Sequence, residues 1–294
     1  MTETRATLIG AIAVLLWGAL ALFTTWTGSV PPFQLVCLTF SIAFLLALSN
    51  WIIRRENPRK YLRHPLPVWI FGIGGLFGYH AFYFLALKNA PVVEASLIAY
   101  LWPLLIVLFS ALLPGERLRW FHIVGTLAGL SGTVVLVTDG GSVSFKDEHI
   151  VGYAAACACA LTWSGYSVLS RRFEHVPTDT VGWFCGATAV LGGIASLIFE
   201  TPAWPADPAI WLGIFLLGLG PVGAAFFVWD VGMKRGNIRV LGAVSYSAPM
   251  ISTLFLIAFS DAMATGAVWF ACLAIVGGAI LAAKNMIFAE PKKV

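Results

Sequence analysis

Residues 92–113 read VVEASLIAYLWPLLIVLFSALL, with one charge, Glu94, near the start. A helix needs about 20 mainly apolar residues to cross the hydrocarbon core of a bilayer, and this run supplies them. The run stops at Pro114-Gly115-Glu116, where turn chemistry and charge arrive together. The same pattern repeats along the chain. Working outward predicts spans at 7–27, 32–53, 66–87, 92–113, 119–138, 150–171, 179–199, 209–230, 238–260 and 265–287. They are divided by breaks such as Gly28 to Pro32, Asn89 to Pro91, Asp139-Gly140-Gly141 and Thr201 to Pro208. An open sheet would leave unpaired edges in lipid. A barrel strand alternates apolar and polar residues, whereas these runs are apolar on nearly every side. The expected fold is an all-α integral membrane protein of ten transmembrane helices.

Composition agrees. Of 294 residues, 59 % are hydrophobic and 11 % charged, with mean hydropathy +0.87. A soluble domain carries about 25 % charged residues. The net charge of +4 could suggest nucleic acid, but the placement of the charge says otherwise. With ten spans both termini lie on one side. That side collects 16 Lys and Arg, from Arg5 through Arg54, Arg117, Arg171, Lys234 and Arg239 to Lys293, while the other holds only Lys88 and Lys146. The positive-inside rule places both termini in the cytoplasm. The basic charge is a topology signal, and no nucleic-acid partner is expected. The partners are the lipid bilayer and a small-molecule solute, and a single copy of the chain is expected to function as a monomer.

The two halves echo each other 146 residues apart. Trp17 matches Trp163, Tyr100-Leu-Trp-Pro103 matches Tyr246-Ser-Ala-Pro249, and Gly132 matches Gly278. Five spans per half is an odd number, so the second half enters from the opposite side. This predicts two inverted-topology five-helix repeats, 1–144 and 145–294, joined by the polar segment Asp139 to His149. Inverted repeats are a common plan of secondary carriers, with the substrate site at the repeat interface near the midplane.

Polar and aromatic groups at mid-span are the candidate substrate-binding residues: Trp17, His80, Tyr83, Tyr100, Trp102, Pro103, Trp163, Ser245, Tyr246 and Pro249. Polar groups in hydrocarbon tend to face the bundle interior, so these are expected to converge on one cavity. Pro103 and Pro249 lack an N–H and are expected to kink their helices. Gly74 with Gly78, Gly125 with Gly129, and Gly182 with Gly186 have the spacing of close helix packing. Glu94 and Asp230 lie near span ends, so no carboxylate is expected at the midplane. A site that reads its ligand by stacking and hydrogen bonds suits an aromatic or apolar amino acid.

The five cysteines fall inside apolar runs, and Cys157 with Cys159 lack metal-ligand spacing. No metal site or cofactor is expected. No Walker A sequence and no His-Glu-x-x-His run occurs, so the chain is not expected to be an enzyme.

The sequence resembles the drug/metabolite transporter superfamily, and within it the EamA-type ten-helix carriers. The resemblance rests on Leu16-Trp17-Gly18, on Ala95 through Pro103, and on Glu116 followed by Gly125, Gly129 and Gly132, with a weaker echo from Trp163 through Gly278. Asp261 and Ala262 stand where the first half has Glu116. The runs Tyr79-His80-Ala-Phe-Tyr83-Phe84 and Tyr100-Leu-Trp-Pro103 are most similar to the YddG-like bacterial exporters of aromatic amino acids. That resemblance implies amino-acid export across a bacterial inner membrane by alternating access, as uncoupled efflux. The alternative is a proton-coupled multidrug or metabolite efflux carrier.

Overall fold

A computed structural model describes residues 1–259 and 265–287. Lys292, Lys293, Asp261 and Ala262 lie outside these described residues. Ten long helices carry the fold. They are α1 (Glu3–Thr25), α2 (Pro32–Ile53), α3 (Leu66–Asn89), α4 (Val92–Ser110) and α5 (Trp120–Thr138) in the first half. The second half has α6 (Ile150–Leu169), α7 (Thr180–Phe199), α8 (Pro208–Arg235), α9 (Ile238–Val244 with Ser247–Phe259) and α10 (Gly266–Ala282). Among the described residues, eight are long and apolar enough to cross a membrane; α10 is apolar but shorter. The remaining helix, α6, is rich in Ala and less apolar because it carries Thr162, Ser164 and Ser167, and most of it is buried inside the bundle.

The turns follow the sequence signals. Gly28, Gly115 and Gly140 adopt φ of 60°, 82° and 75°, a left-handed region where a Cβ is costly. Three helix ends differ from expectation by four residues or more: α10 closes at Ala282 instead of 287, and the other two have a local cause. Helix α1 begins at Glu3, because the Thr2 hydroxyl caps it by accepting the Arg5 N–H at 3.3 Å. Helix α8 runs on to Arg235 because Asp230 and Lys234, one turn apart, neutralise each other at 2.8 Å.

Packing pairs the halves. Helix α1 lies against α8, α2 against α7, α3 against α6, α4 against α9 and α5 against α10. Exchanging the halves maps this set of pairs onto itself, as two repeats related by a two-fold axis require. Glycine makes the closest pair possible. At Gly125 and Gly278 each Cα faces the partner's backbone, so a Cβ on either would strike a carbonyl. Gly182 and Gly186 are covered by side chains instead: a Cβ would meet Ala47 and Trp51 at Gly182, and the Phe44 ring at Gly186. Gly74 departs from the expected packing role: it is exposed on the outside of α3 and a Cβ there meets nothing. Cys157 is likewise exposed, while Cys159 and Cys185 are buried; all five cysteines are free thiols.

Gly278→Leu should therefore destabilise the protein by about 1–3 kcal/mol, the range of overpacking in a rigid contact. Gly277→Leu, at a neighbour whose Cβ meets nothing, should melt like the parent in detergent. Equal melting of both variants would show that α5 and α10 do not approach this closely.

Four helices are interrupted. Helix α4 breaks at Tyr100–Leu101 and α9 at Ser245–Tyr246, each one turn before a proline. Pro103 has no N–H for the Ala99 carbonyl, nor Pro249 for that of Ser245, so the ladder lapses there. Helix α1 is interrupted at Ala19. Helix α8 contains a π-turn over Gly220–Ala224, where Pro221 denies the Leu217 carbonyl its partner.

The two ends of the bundle are stitched differently. On the basic end, Arg54 pairs with Glu56 (2.6 Å) and Asp179 (2.8 Å), and Arg239 with Glu116 (2.9 Å). The Tyr61 hydroxyl and then the Lys60 ammonium hold the Glu56 carboxyl down at about 2. On the far end the Glu200 carboxylate accepts the N–H groups of Phe33 (2.8 Å) and Gln34 (3.0 Å), capping α2.

Candidate functional site: a central aromatic cavity

A cavity of about 520 Å³ lies where α1, α2, α3, α4, α6, α8 and α9 converge. Its lining extends to Leu20 and Thr24 on the last turns of α1, Pro32 at the start of α2 and Leu87 near the end of α3. These positions all lie toward the far end, so the cavity opens there and is closed toward the basic end.

Four tryptophans close it. Trp17 of α1, Trp102 of α4, Trp163 of α6 and Trp229 of α8 form a cluster in which every ring centroid is within 6.4 Å of every other. Trp17 sits centrally, 5.0 Å from Trp229 and 5.6 Å from Trp163. Its Nε1 donates to the Pro221 carbonyl at 3.1 Å, so the floor is tied to the π-turn of α8. Trp229 is 1 % exposed and lies behind the cavity surface, its Nε1 donating to the Ser167 hydroxyl at 3.0 Å.

The wall above the floor is aromatic with scattered hydroxyls. Tyr79 and Tyr83, one turn apart on α3, lie parallel at 6.2 Å. The Tyr83 hydroxyl is 3.5 Å from that of Ser96. His80 donates from Nδ1 to the Leu76 carbonyl at 2.8 Å, which leaves Nε2 as its acceptor. Thr39 and Ser252 add further hydroxyls. Among the described residues the lining includes no Asp, Glu, Lys or Arg.

Of the residues picked out from sequence, Trp17, His80, Tyr83, Tyr100, Trp102, Trp163 and Pro249 line this cavity. Pro103, Ser245 and Tyr246 do not. Tyr100 and Pro103 would share a face of a continuous helix, but the break at Tyr100–Leu101 turns them apart. Pro103 is buried, with its carbonyl against Gly242. Ser245 donates to the Leu241 carbonyl at 2.7 Å, and Tyr246 is fully buried with its ring on Gly129. Residues that sequence reasoning missed are Tyr79, Thr39, Ser96, Phe226 and Ser252. The one-turn spacing of Tyr79 and Tyr83 could have found the first. The repeat could have found Trp229, which stands 146 residues after Tyr83.

Comparisons with known proteins agree with this architecture. The sequence profile of the EamA-like transporter family matches residues 4–138 and 150–283, once per half. The chain is 54 % identical over 283 residues to the aromatic amino acid exporter YddG of Ancylobacter novellus, covering 96 % of this chain and 98 % of that one. It is 27 % identical over 301 residues to the aromatic amino acid exporter YddG of Escherichia coli strain K12, covering 96 % and 97 %. A solved crystal structure with 54 % sequence identity superposes with a TM-score of 0.91 over 96 % of this chain and 99 % of the other. With ten helices in two duplicated halves and both halves matching one profile, the chain belongs to the EamA-like transporter family.

Proposed function

We propose that the protein exports aromatic and other apolar amino acids across a bacterial inner membrane by alternating access, as downhill facilitated efflux. The observation that carries this reading is the central cavity: aromatic, free of charged lining residues among those described, and closed at one end by the tryptophan floor. Its volume suits a small solute. Ring faces offer stacking to an aromatic side chain. The Tyr83, Ser96 and Ser252 hydroxyls and His80 Nε2 can meet the ammonium and carboxylate. The relatives named as aromatic amino acid exporters support the same cargo.

Residues 1–144 and 145–294 then serve as the two repeats whose exchange of conformation moves the cavity mouth. The 16-to-2 split of Lys and Arg supports a cytoplasmic basic end with both termini inside, and on that reading the cavity opens to the outside. All five helix pairings form within one chain, which suits a functional monomer. Proton-coupled efflux of a drug or metabolite is the second reading, and His80 in the wall is the observation that favours it.

Reconstituted vesicles decide. Preloaded labelled phenylalanine or tryptophan should leave only vesicles containing the protein, at a rate unchanged when the pH gradient is collapsed. No amino-acid efflux, together with pH-driven efflux of an aromatic cation, would overturn the first reading in favour of the second.

A further inference from the structure

The pairing of helices obeys the two-fold axis, but the interruptions do not. Helices α4 and α9 break at corresponding places. By contrast α1 is interrupted at Ala19 and α8 carries its π-turn from Gly220, while α6 and α3, their repeat mates, are continuous. The interrupted pair packs together, and so does the continuous pair.

The registers are secure. Trp17 and Trp163 are 146 residues apart, so Ala19 corresponds to residue 165. Helix α4 starts at Val92 and α9 at Ile238, and α3 ends at Asn89 where α8 ends at Arg235, each again 146 apart. Gly220 therefore corresponds to residue 74. Both counterparts, Gly165 and Gly74, are glycines.

Neither glycine is required by packing in this state. A Cβ at Gly74 or at Gly165 meets nothing within 4 Å. A glycine inside a helix is disfavoured against alanine, so a glycine with open space around it has no explanation in the continuous helix. The surroundings supply one. The far-end halves of α1 and α8, beyond their interruptions, line the open cavity through Leu20, Thr24 and Leu217. By symmetry the basic-end halves of α6 and α3 would line a cavity open to the basic end. Beside Gly165 there is already a recess of about 280 Å³ against Phe109, Leu112 and Leu113 at the α4 end, room that a bend in α6 could use.

We propose that Gly74 and Gly165 are the hinges at which α3 and α6 break when the cavity opens to the basic end. This rests on the carrier reading above. In α8 the interruption is imposed by Pro221; in α3 the run Ile73-Gly74-Gly75-Leu76-Phe77-Gly78 permits either a continuous or a broken helix. One other helix-interior glycine has a Cβ that would meet nothing, Gly277 of α10. Its counterpart Ser131 sits in the continuous helix α5, so symmetry assigns it no break, and it serves as the control.

The test is Gly74→Ala, Gly165→Ala, their combination, and Gly277→Ala in the full chain. Alanine favours the continuous helix by about fivefold per site over glycine. The hinge variants should lower efflux turnover by about fivefold each and about twentyfold together, and raise thermal stability. They should also slow amide hydrogen exchange in 72–78 and 162–169. Gly277→Ala should raise stability without changing turnover or exchange at those segments. The proposal is overturned if the double variant transports and exchanges like the parent, or if Gly277→Ala slows transport equally. Should the parent move no amino acid at all, the exchange measurement still reports on the hinges while the carrier reading falls.

Discussion

Lys234→Met is expected to cost about 3–5 kcal/mol of stability, the penalty for leaving a buried charge without its partner. The Lys234 and Asp230 side chains are only 6 % and 4 % exposed and lie 2.8 Å apart. Lys234 also donates to the Val176 carbonyl at 2.8 Å, and the Thr178 hydroxyl donates to Asp230 at 2.6 Å. The pair thus holds the α6–α7 connection against the end of α8. Without the ammonium, Asp230 keeps one hydroxyl donor in a site with little water. Unfolding in detergent should show the loss directly. The double variant Asp230→Leu with Lys234→Met removes both charges and should recover most of it, since an apolar pair of similar size is often neutral or better. A single variant that melts like the parent would mean that water reaches Asp230 and the clip contributes nothing.

The second large effect concerns transport. Trp17→Ala should lower amino-acid efflux at least about tenfold, a change that corresponds to about 1.4 kcal/mol. Trp17 makes ring contacts with Trp102, Trp163, Phe226 and Trp229, each worth about 0.5–1.5 kcal/mol beyond area burial. Removing it opens the floor and frees the Pro221 carbonyl. Trp17→Phe keeps most of the ring contacts but cannot donate to that carbonyl, so it should fall between the two. Expression and melting are measured alongside. Were Trp17→Ala to lose folded protein in proportion to activity, the ring would be a packing element and its place in the site would be withdrawn.

The fold was legible in the sequence because lipid leaves few choices. Apolar length set the helices, glycine and proline set the turns, and repeated residues set the duplicated halves. The misplacements have physical causes. Asp230 and Lys234 look like a helix end because a lone charge would be one, and only their pairing carries α8 onward. Among site residues the repeat treated Tyr100 and Tyr246 as equals. In a molecule open at one end they cannot be: Tyr100 faces the cavity and Tyr246 is packed on Gly129. Which member of each pair faces the cavity follows from the end at which the cavity opens, and the repeat carries no mark of that end. Ser96, Thr39 and Ser252 escaped notice because a hydroxyl that can bond its own helix carries no pattern that sets it apart until the neighbouring helices are in place.

The pairing of α1 with α8, α2 with α7, α3 with α6 and α5 with α10 bears on how the chain is made. Each helix of the first half finds its main neighbour in the second. At about 5–20 residues per second, the first five helices are in the bilayer for many seconds before those neighbours are synthesised. Until then Gly125, the backbone of α1 at Gly10, and the α2 surface that will meet Gly182 face lipid or one another. The nascent first half is an unfinished surface whose quality control depends on the ribosome reaching the end. A nonsense codon anywhere in the second half would leave an inserted remnant without its own core, a substrate for membrane proteases.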